Sequence, residues 1–323
     1  MSENKSGYFW LNDLIKNSEK ILKESDSYLS LNIQELNSSI KGLIEQQFYV
    51  LAARPSVGKT TFCLNIIARA LKGLKDNEII VFFSLEMSTR EILNRLLEIL
   101  KIMYSDKELE ELQREKRLLI VDYPNSNVFK IGNFIDDLNK TFKVRSLIID
   151  HLQLLNLEKN QQNLPRYEKM TQITRQLKII SKEKSINILA ISQLSRDFEK
   201  RNSALKLNEI DVQLSDLRDS GSIEQDADVV MFLVNKKDPK NKEKYSVVIA
   251  KNRNGGTDII NAIFLKSKFL FFFQSDIFCK KCSRWINEIR KIKLTDDNWV
   301  CSECVKNNSK NATASVNLEN NGV

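Results

Sequence analysis

A chain of 323 residues, 42% apolar and 28% charged, has the composition of a soluble globular protein, sized for one large domain and a small appendage. No stretch approaches about 18 consecutive apolar residues, which excludes a transmembrane helix. The N-terminus lacks the basic start and apolar core of a secretory signal, so the cytoplasm or an equivalent compartment is expected. A net charge of +8 weakly favours a polyanionic partner.

Residues 10–24 place Leu11, Leu14, Ile15 and Leu22 at helical spacing. This short amphipathic helix has nothing of its own to bury against, so it packs on the main domain or docks on another subunit. An apolar run, Phe48–Ala52, then leads into Ala53, Arg54, Pro55, Ser56, Val57, Gly58, Lys59, Thr60 and Thr61, followed by an apolar helix to Ala70. Strand, loop and helix in that order have the P-loop form, in which backbone N–H groups and a helix N-terminus cradle a nucleotide phosphate. Lys59 is expected on the β- and γ-phosphates of the nucleotide and Thr60 on Mg²⁺. The first glycine of the pattern is replaced by Ala53, and a chance Gly-Lys-Thr at a helix start is the bland alternative.

Continuous β-rich runs recur at 79–84, 118–122, 146–150 and 186–192, separated by helical stretches, two of which open on capping boxes, Ser88 with Glu91 and Ser105 with Glu108. That alternation predicts a parallel α/β sheet. Strands near 229–234, 245–251, 258–264 and 268–273 then follow without helices between them and predict an antiparallel extension. The polar, irregular segment 200–220 reads as a functional loop.

A P-loop enzyme needs an acid for the metal shell, a carboxylate that activates water and a cation over the γ-phosphate. Asp150 ends a strand and suits the metal, with an ordinary turn residue as the alternative. Glu86 ends the strand after the P-loop helix and reads equally well as a base or as a turn residue. Gln193 can bond the γ-phosphate or the attacking water, or merely end its strand. Lys251 and Arg253 lie two apart on one strand face and matter only if they face a nucleotide, which could be a neighbour's.

Cys63 falls in the helix after the P-loop and reads as a small buried hydrophobe. Cys279, Cys282, Cys301 and Cys304 form two Cys-x₂-Cys knuckles separated by 18 residues, the spacing of a closed, structural Zn²⁺ site in a zinc ribbon. Basic residues such as Lys280, Arg284 and Lys291 accompany Trp285 and Trp299. They suit nucleic-acid contact, or the tryptophans only pack a tiny core and the charges only solvate it. Residues 306–323 are polar and Asn-rich, as in a disordered tail. The domain reading is therefore a linker helix within 1–26, an ATPase domain over 27–275, a Cys₄ ribbon over 276–305 and a tail over 306–323.

The stretches 51–61 (LAARPSVGKTT), 83–88 (FSLEMS), 147–154 (LIIDHLQL), 191–196 (ISQLSR), 214–228 (LSDLRDSGSIEQDAD) and 251–255 (KNRNG) occur in that order. Together, over about residues 10–270, they resemble the C-terminal ATPase domain of the DnaB-type replicative DNA helicases, with the run 215–228 as the most specific piece. Ala53 is usual in that family.

The resemblance implies a RecA-like fold with a mostly parallel central sheet, and an ATP-dependent helicase moving 5′-to-3′ on single-stranded DNA during replication. It implies a hexameric ring with ATP at each interface. Glu86 matches the catalytic base and Arg95 a basic residue near the active site. Lys251 and Arg253 match cations that reach the adjacent subunit's γ-phosphate. Arg218, Asp219 and Gly221 match the loop on the single-strand backbone, and the helix at 10–24 matches the linker that docks on the next subunit. The family's larger N-terminal domain, which recruits primase, does not precede this motor, which bears on primase and helicase-loader partners. His151, the single histidine, stands where the family usually has tyrosine and reads as a packing substitution. Two rival readings are a RecA-like single-strand-dependent ATPase of recombination or loading, and a truncated, non-unwinding partner of a full-length helicase ring.

Overall fold

The computed structural model describes residues 28–301 except 124–125, 159–160, 162, 196–197, 199–211, 218–219, 236–243, 279–284, 287–290 and 296–297. The helix expected over 10–24, Arg218, Asp219, Cys279, Cys282, Cys304 and the tail lie outside the described residues.

The chain opens with a short antiparallel pair, β1 (Tyr28–Leu29) and β2 (Leu43–Ile44), around helix α1 (Gln34–Ile40). It continues through β3 (Phe48–Ala53), α2 (Lys59–Ala70), β4 (Glu78–Ser84), α3 (Thr89–Met103), α4 (Asp106–Arg114) and β5 (Leu118–Val121). Then come α5 (Val128–Asn139), β6 (Lys143–Asp150), α6 (Arg166–Glu183), β7 (Asn187–Gln193) and α7 (Ser220–Asp226). Four further strands complete the main sheet: β8 (Val229–Asn235), β9 (Lys244–Asn252), β10 (Asp258–Leu265) and β11 (Leu270–Phe273). Both predicted capping boxes form, at the starts of α3 and α4.

The nine-stranded sheet has the order β11-β10-β9-β8-β3-β7-β6-β4-β5. β3, the strand before the P-loop, lies near its middle, parallel to β7 on one side and β8 on the other. The antiparallel extension therefore begins one strand later than the sequence suggests. β8 is parallel because α7 stands between it and β7 and carries the chain back to the starting edge, whereas tight connections join β9 to β10 and β10 to β11.

The strand patterns have a direct cause. β3 and β4 are buried along their whole length because helices cover both faces. Their side chains divide by alternation. Tyr49, Leu51 and Ala53 join one core with α1, α2 and α3, while Phe48, Val50 and Ala52 join another with α5 and α6. β10 alternates instead, with Ile260, Ala262 and Phe264 inward and Ile259, Asn261 and Ile263 outward, as befits a strand covered on one side.

After the main sheet come two short hairpin pairs. β12 (Ile277–Phe278) pairs with β13 (Trp285–Ile286), and β14 (Lys291–Thr295) pairs with β15 (Asn298–Cys301). Among the described residues no helix is long and apolar enough to cross a membrane.

Helix α2 is fixed at its far end by a buried charge pair. The Arg69 guanidinium donates from Nη1 and Nη2 to Asp276 Oδ1 and Oδ2, each at 2.6 Å, and from Nη2 to Phe271 O at 3.1 Å. Arg69 is 0% exposed, so removing its partner strands a cation in the core. Asp276→Ala is expected to destabilise the domain by about 3–5 kcal/mol, read as a lowered midpoint in chemical denaturation.

Candidate active site

The P-loop leaves β3 at Ala53 and enters α2 at Lys59. Two of its residues have positive φ, Ser56 at 63° and Gly58 at 102°. Gly58 caps the helix, and a Cβ there would stand 3.2 Å from Phe264 Cε1 in an already strained backbone, so glycine is required. Ala53 is a different case. It is still a β residue, buried and paired with Gln193, so no left-handed geometry asks for glycine. Pro55 and Ser56 are exposed at the tip, with Val57 half-buried behind them. Arg54 turns away and donates from Nη1 to Leu194 O at 3.1 Å and to Ser195 O at 3.3 Å, tying the loop to the end of β7.

The parallel register aligns the other strand ends with this loop. Ser84 pairs with Asp150, and Ala53 with Gln193. Thr60 Oγ1 donates to Asp150 Oδ2 at 2.6 Å. Asp150 is 0% exposed, and its second oxygen, Oδ1, is buried with no hydrogen-bond partner. Burial, with the Glu86 charge adding, raises its carboxyl to about 6, against the Thr60 hydrogen bond and the Lys59 ammonium. An orphaned carboxylate oxygen beside a hydroxyl is a hard-oxygen donor set that fits Mg²⁺. Lys59 is buried, and its Nζ reaches back to Arg54 O at 3.3 Å. Burial lowers its pKa, and Asp150 and Glu86 partly restore it.

Glu86 stands in the turn between β4 and α3, and Leu85 N donates to Asp150 O at 2.8 Å, which holds that turn against the end of β6. Its Oε2 lies 3.1 Å from His151 Nδ1, and His151 Nε2 lies 3.2 Å from Gln193 Nε2. His151 is buried, and desolvation holds its imidazole below its usual pKa, opposed by Glu86. His151, expected as a packing substitution, is packed in the interior and also turns both ring nitrogens toward polar groups. Its adjacency to Asp150 was visible in the sequence, but its contacts depend on where β4 and β7 end. Gln153 was likewise missed; its Nε2 donates to Ser192 Oγ at 3.0 Å.

Arg95 reaches the loop from α3, donating from Nη1 to Thr61 Oγ1 at 3.3 Å, with its guanidinium 5.7 Å from the Phe269 ring centre. Lys251 and Arg253 are elsewhere. β9 runs antiparallel to β8, and Lys251 pairs with Val230, itself level with Val50. Arg253 N donates to Asp228 O, and Asp228 N to Phe48 O, so Arg253 sits where β3 begins. At ~3.3 Å per residue that is about 17 Å along the strand from the end that carries the P-loop. Lys251 Nζ donates to Glu224 O and Ala227 O, and Arg253 donates to Asp228 Oδ1 at 3.2 Å and Gln225 O at 2.6 Å. Gly221, expected in a loop, is in the first turn of α7, beside the exposed Tyr167.

Residues 29–272 match the family model described as DnaB-like helicase C terminal domain. The chain is 35% identical over 270 residues to the replicative DNA helicase DnaB of Mycoplasma pneumoniae, a match covering 75% of this chain and 54% of that protein. The chain thus spans about half the length of the curated relatives it matches. Among solved structures it is similar to a DnaB-like replicative helicase described with its interactions with primase, with a TM-score of 0.66, 27% identity, and coverage of 82% of this chain and 67% of that one. It is also similar to a second solved structure, described as an ATPase domain, with a TM-score of 0.67, 26% identity, and coverage of 82% and 99%. Fold, strand-end constellation and family match agree, and the chain belongs to the DnaB-like helicase C-terminal domain family, with its RecA-like fold.

Proposed function

We propose that this chain is the ATP-hydrolysing motor of a replicative DNA helicase, working as a ring, hexameric as the family resemblance implies, with ATP between subunits and 5′-to-3′ movement on single-stranded DNA. The observation that carries the reading is the division of charge across the sheet. Thr60, Glu86, Asp150 and Gln193 gather at one edge, while Lys251 and Arg253 stand at the other. Such a subunit cannot complete its own site but can complete its neighbour's, and head-to-tail repetition of that contact closes into a ring.

In this reading the loop amides of residues 56–60 hold the phosphates, and Lys59 neutralises their β and γ oxygens. Thr60 and Asp150 hold Mg²⁺, which when bound offsets the charge that develops on the transferring phosphate. Glu86 accepts the proton of the attacking water, Gln193 orients that water or the γ-phosphate, and Arg95 adds charge behind Thr61. Lys251 and Arg253 supply the cations to the adjacent subunit's nucleotide. Arg218, Gly221 and the backbone of Asp219 carry the DNA contact, since the Asp219 carboxylate cannot attract phosphate. The domain plan keeps a linker helix within 1–26, the motor over 27–275 and a Cys₄ zinc ribbon over 276–305. The cytoplasm is the expected compartment, and primase is a candidate partner because a structurally similar helicase is described with it.

Lys59→Ala is expected to abolish hydrolysis and forked-duplex unwinding without changing the fold, and Arg253→Ala to do the same. Mixing the two inactive variants is expected to restore about a quarter of the ATPase rate, because interfaces that pair an intact loop with an intact Arg253 re-form. No recovery on mixing would sink the intersubunit site. Single-strand-stimulated ATPase without unwinding would favour the recombination or loading reading.

The raised Asp150 carboxyl makes a proton compete with the cation. Affinity for Mg²⁺·ADP is expected to be full above about pH 6 and to fall roughly tenfold per unit below it, as titration calorimetry across that range would show. For the ribbon, Cys279→Ser with Cys301→Ser is expected to lose bound zinc by metal analysis while ATPase persists.

A further inference from the structure

We infer that His151 is a positioning residue: its Nδ1–H aims the Glu86 carboxylate, and Gln193 fixes the ring through Nε2. The inference rests on the reading of Glu86 as the base.

Glu86 is the least anchored of the site carboxylates. Its side chain is 52% exposed, on a turn rather than a strand, and the imidazole is the ionisable or polar side chain that approaches it at 3.1 Å. A half-exposed glutamate samples several rotamers, and only some of them hold a carboxylate oxygen where an in-line water passes. His151 has no such freedom. It is 4% exposed, follows the strand-terminal Asp150 directly, and is wedged between the ends of β6 and β7 and the turn after β4.

Its two nitrogens must play opposite parts. A neutral imidazole has one donor and one acceptor. The Gln193 amide faces Nε2 at 3.2 Å; with its nitrogen as the donor, Nε2 accepts and the ring proton falls on Nδ1, the nitrogen 3.1 Å from the Glu86 carboxylate. Nδ1 is buried, and no well-aligned hydrogen bond satisfies it, although Glu86 Oε2 is within reach. A small rotation of the Glu86 side chain makes that bond, and catalytic hydrogen bonds commonly tighten only when substrate is present. Packing alone accounts for neither polar contact. Gln193 is also level with Ala53 at the root of the P-loop, so a nucleotide that draws the Gln193 amide away alters what orients the ring and, through it, Glu86.

The variants His151→Asn, His151→Gln and His151→Phe separate the two nitrogens. Asparagine sets an amide nitrogen near the Nδ1 position, whereas glutamine replaces the Nε2 end and phenylalanine keeps only the volume. His151→Gln and His151→Phe are expected to lower kcat about tenfold with KM for ATP and Tm unchanged, and His151→Asn to stay within about threefold of the parent. Full kcat in His151→Phe, or equal losses in His151→Asn and His151→Gln, would overturn the inference. The chain has a single histidine, so ¹⁵N-histidine labelling of the unmodified, untagged protein reads this ring alone. The Nδ1–H tautomer is expected, with the Nδ1 resonance moving in Glu86→Gln, and an Nε2–H tautomer would overturn the inference even if no variant folds. Glu86→Gln also separates the two failures. If it hydrolyses ATP at the parental rate, the assignment of the base is wrong, whereas a dead Glu86→Gln beside a fully active His151→Phe refutes only the role of the histidine.

Discussion

The parallel register that sets Ala53 against Gln193 and Ser84 against Asp150 brings four strand ends to one edge of the sheet. The chemistry of the site depends on that alignment. A slip of one residue would turn Asp150 into the opposite core and remove the oxygen that Thr60 meets at 2.6 Å. The register is protected because both faces of these strands are buried, so each residue is committed to one of two cores. Phe48 and Tyr49 on β3, or Ile148 and Ile149 on β6, cannot exchange faces without burying the wrong shape.

The same sheet gives the subunit two unlike edges. At the P-loop edge are the buried Asp150, the half-exposed Glu86 and a helix N-terminus. At the other, Asp228 gathers the backbone N–H of Phe48, the ammonium of Lys178 and the guanidinium of Arg253. Asp228 therefore holds Arg253 in a fixed place at the surface, where its side chain is 49% exposed. An arginine that is anchored and still accessible is suited to a second partner, and the antiparallel turn of β9 keeps that partner from being the subunit's own nucleotide.

Helix α2 links these features to stability. Its N-terminus carries Gly58, Lys59 and Thr60, and its other end carries Arg69, locked to Asp276 and Phe271. Between them Asn65 donates to Phe269 O and accepts from Phe271 N, so β11 is fastened along the helix. The antiparallel extension thus serves the site: Phe264 and Phe271 stack at 4.1 Å beneath Gly58 and form the floor on which the loop rests.

Much of this was legible in the sequence because local chemistry reports on itself. The P-loop, the two capping boxes and the continuous runs of β3, β4, β6 and β7 depend on neighbours within a few residues, and the ordered motifs from 51 to 255 identified the family. Strand-terminal Asp150 and the Thr60 beside the loop were legible for the same reason. Tertiary structure alone decided the rest. β8 is parallel because of where α7 returns the chain, and no periodicity encodes that. His151 is part of a polar chain because β4, β6 and β7 end level, which brings together residues 86, 151 and 193 from distant parts of the sequence. Lys251 and Arg253 share a face by their spacing, yet which edge of the sheet they occupy follows from the direction of β9. Sequence patterns record what a residue meets along its own element, whereas the meeting of separate elements is set by the order, direction and register of the strands.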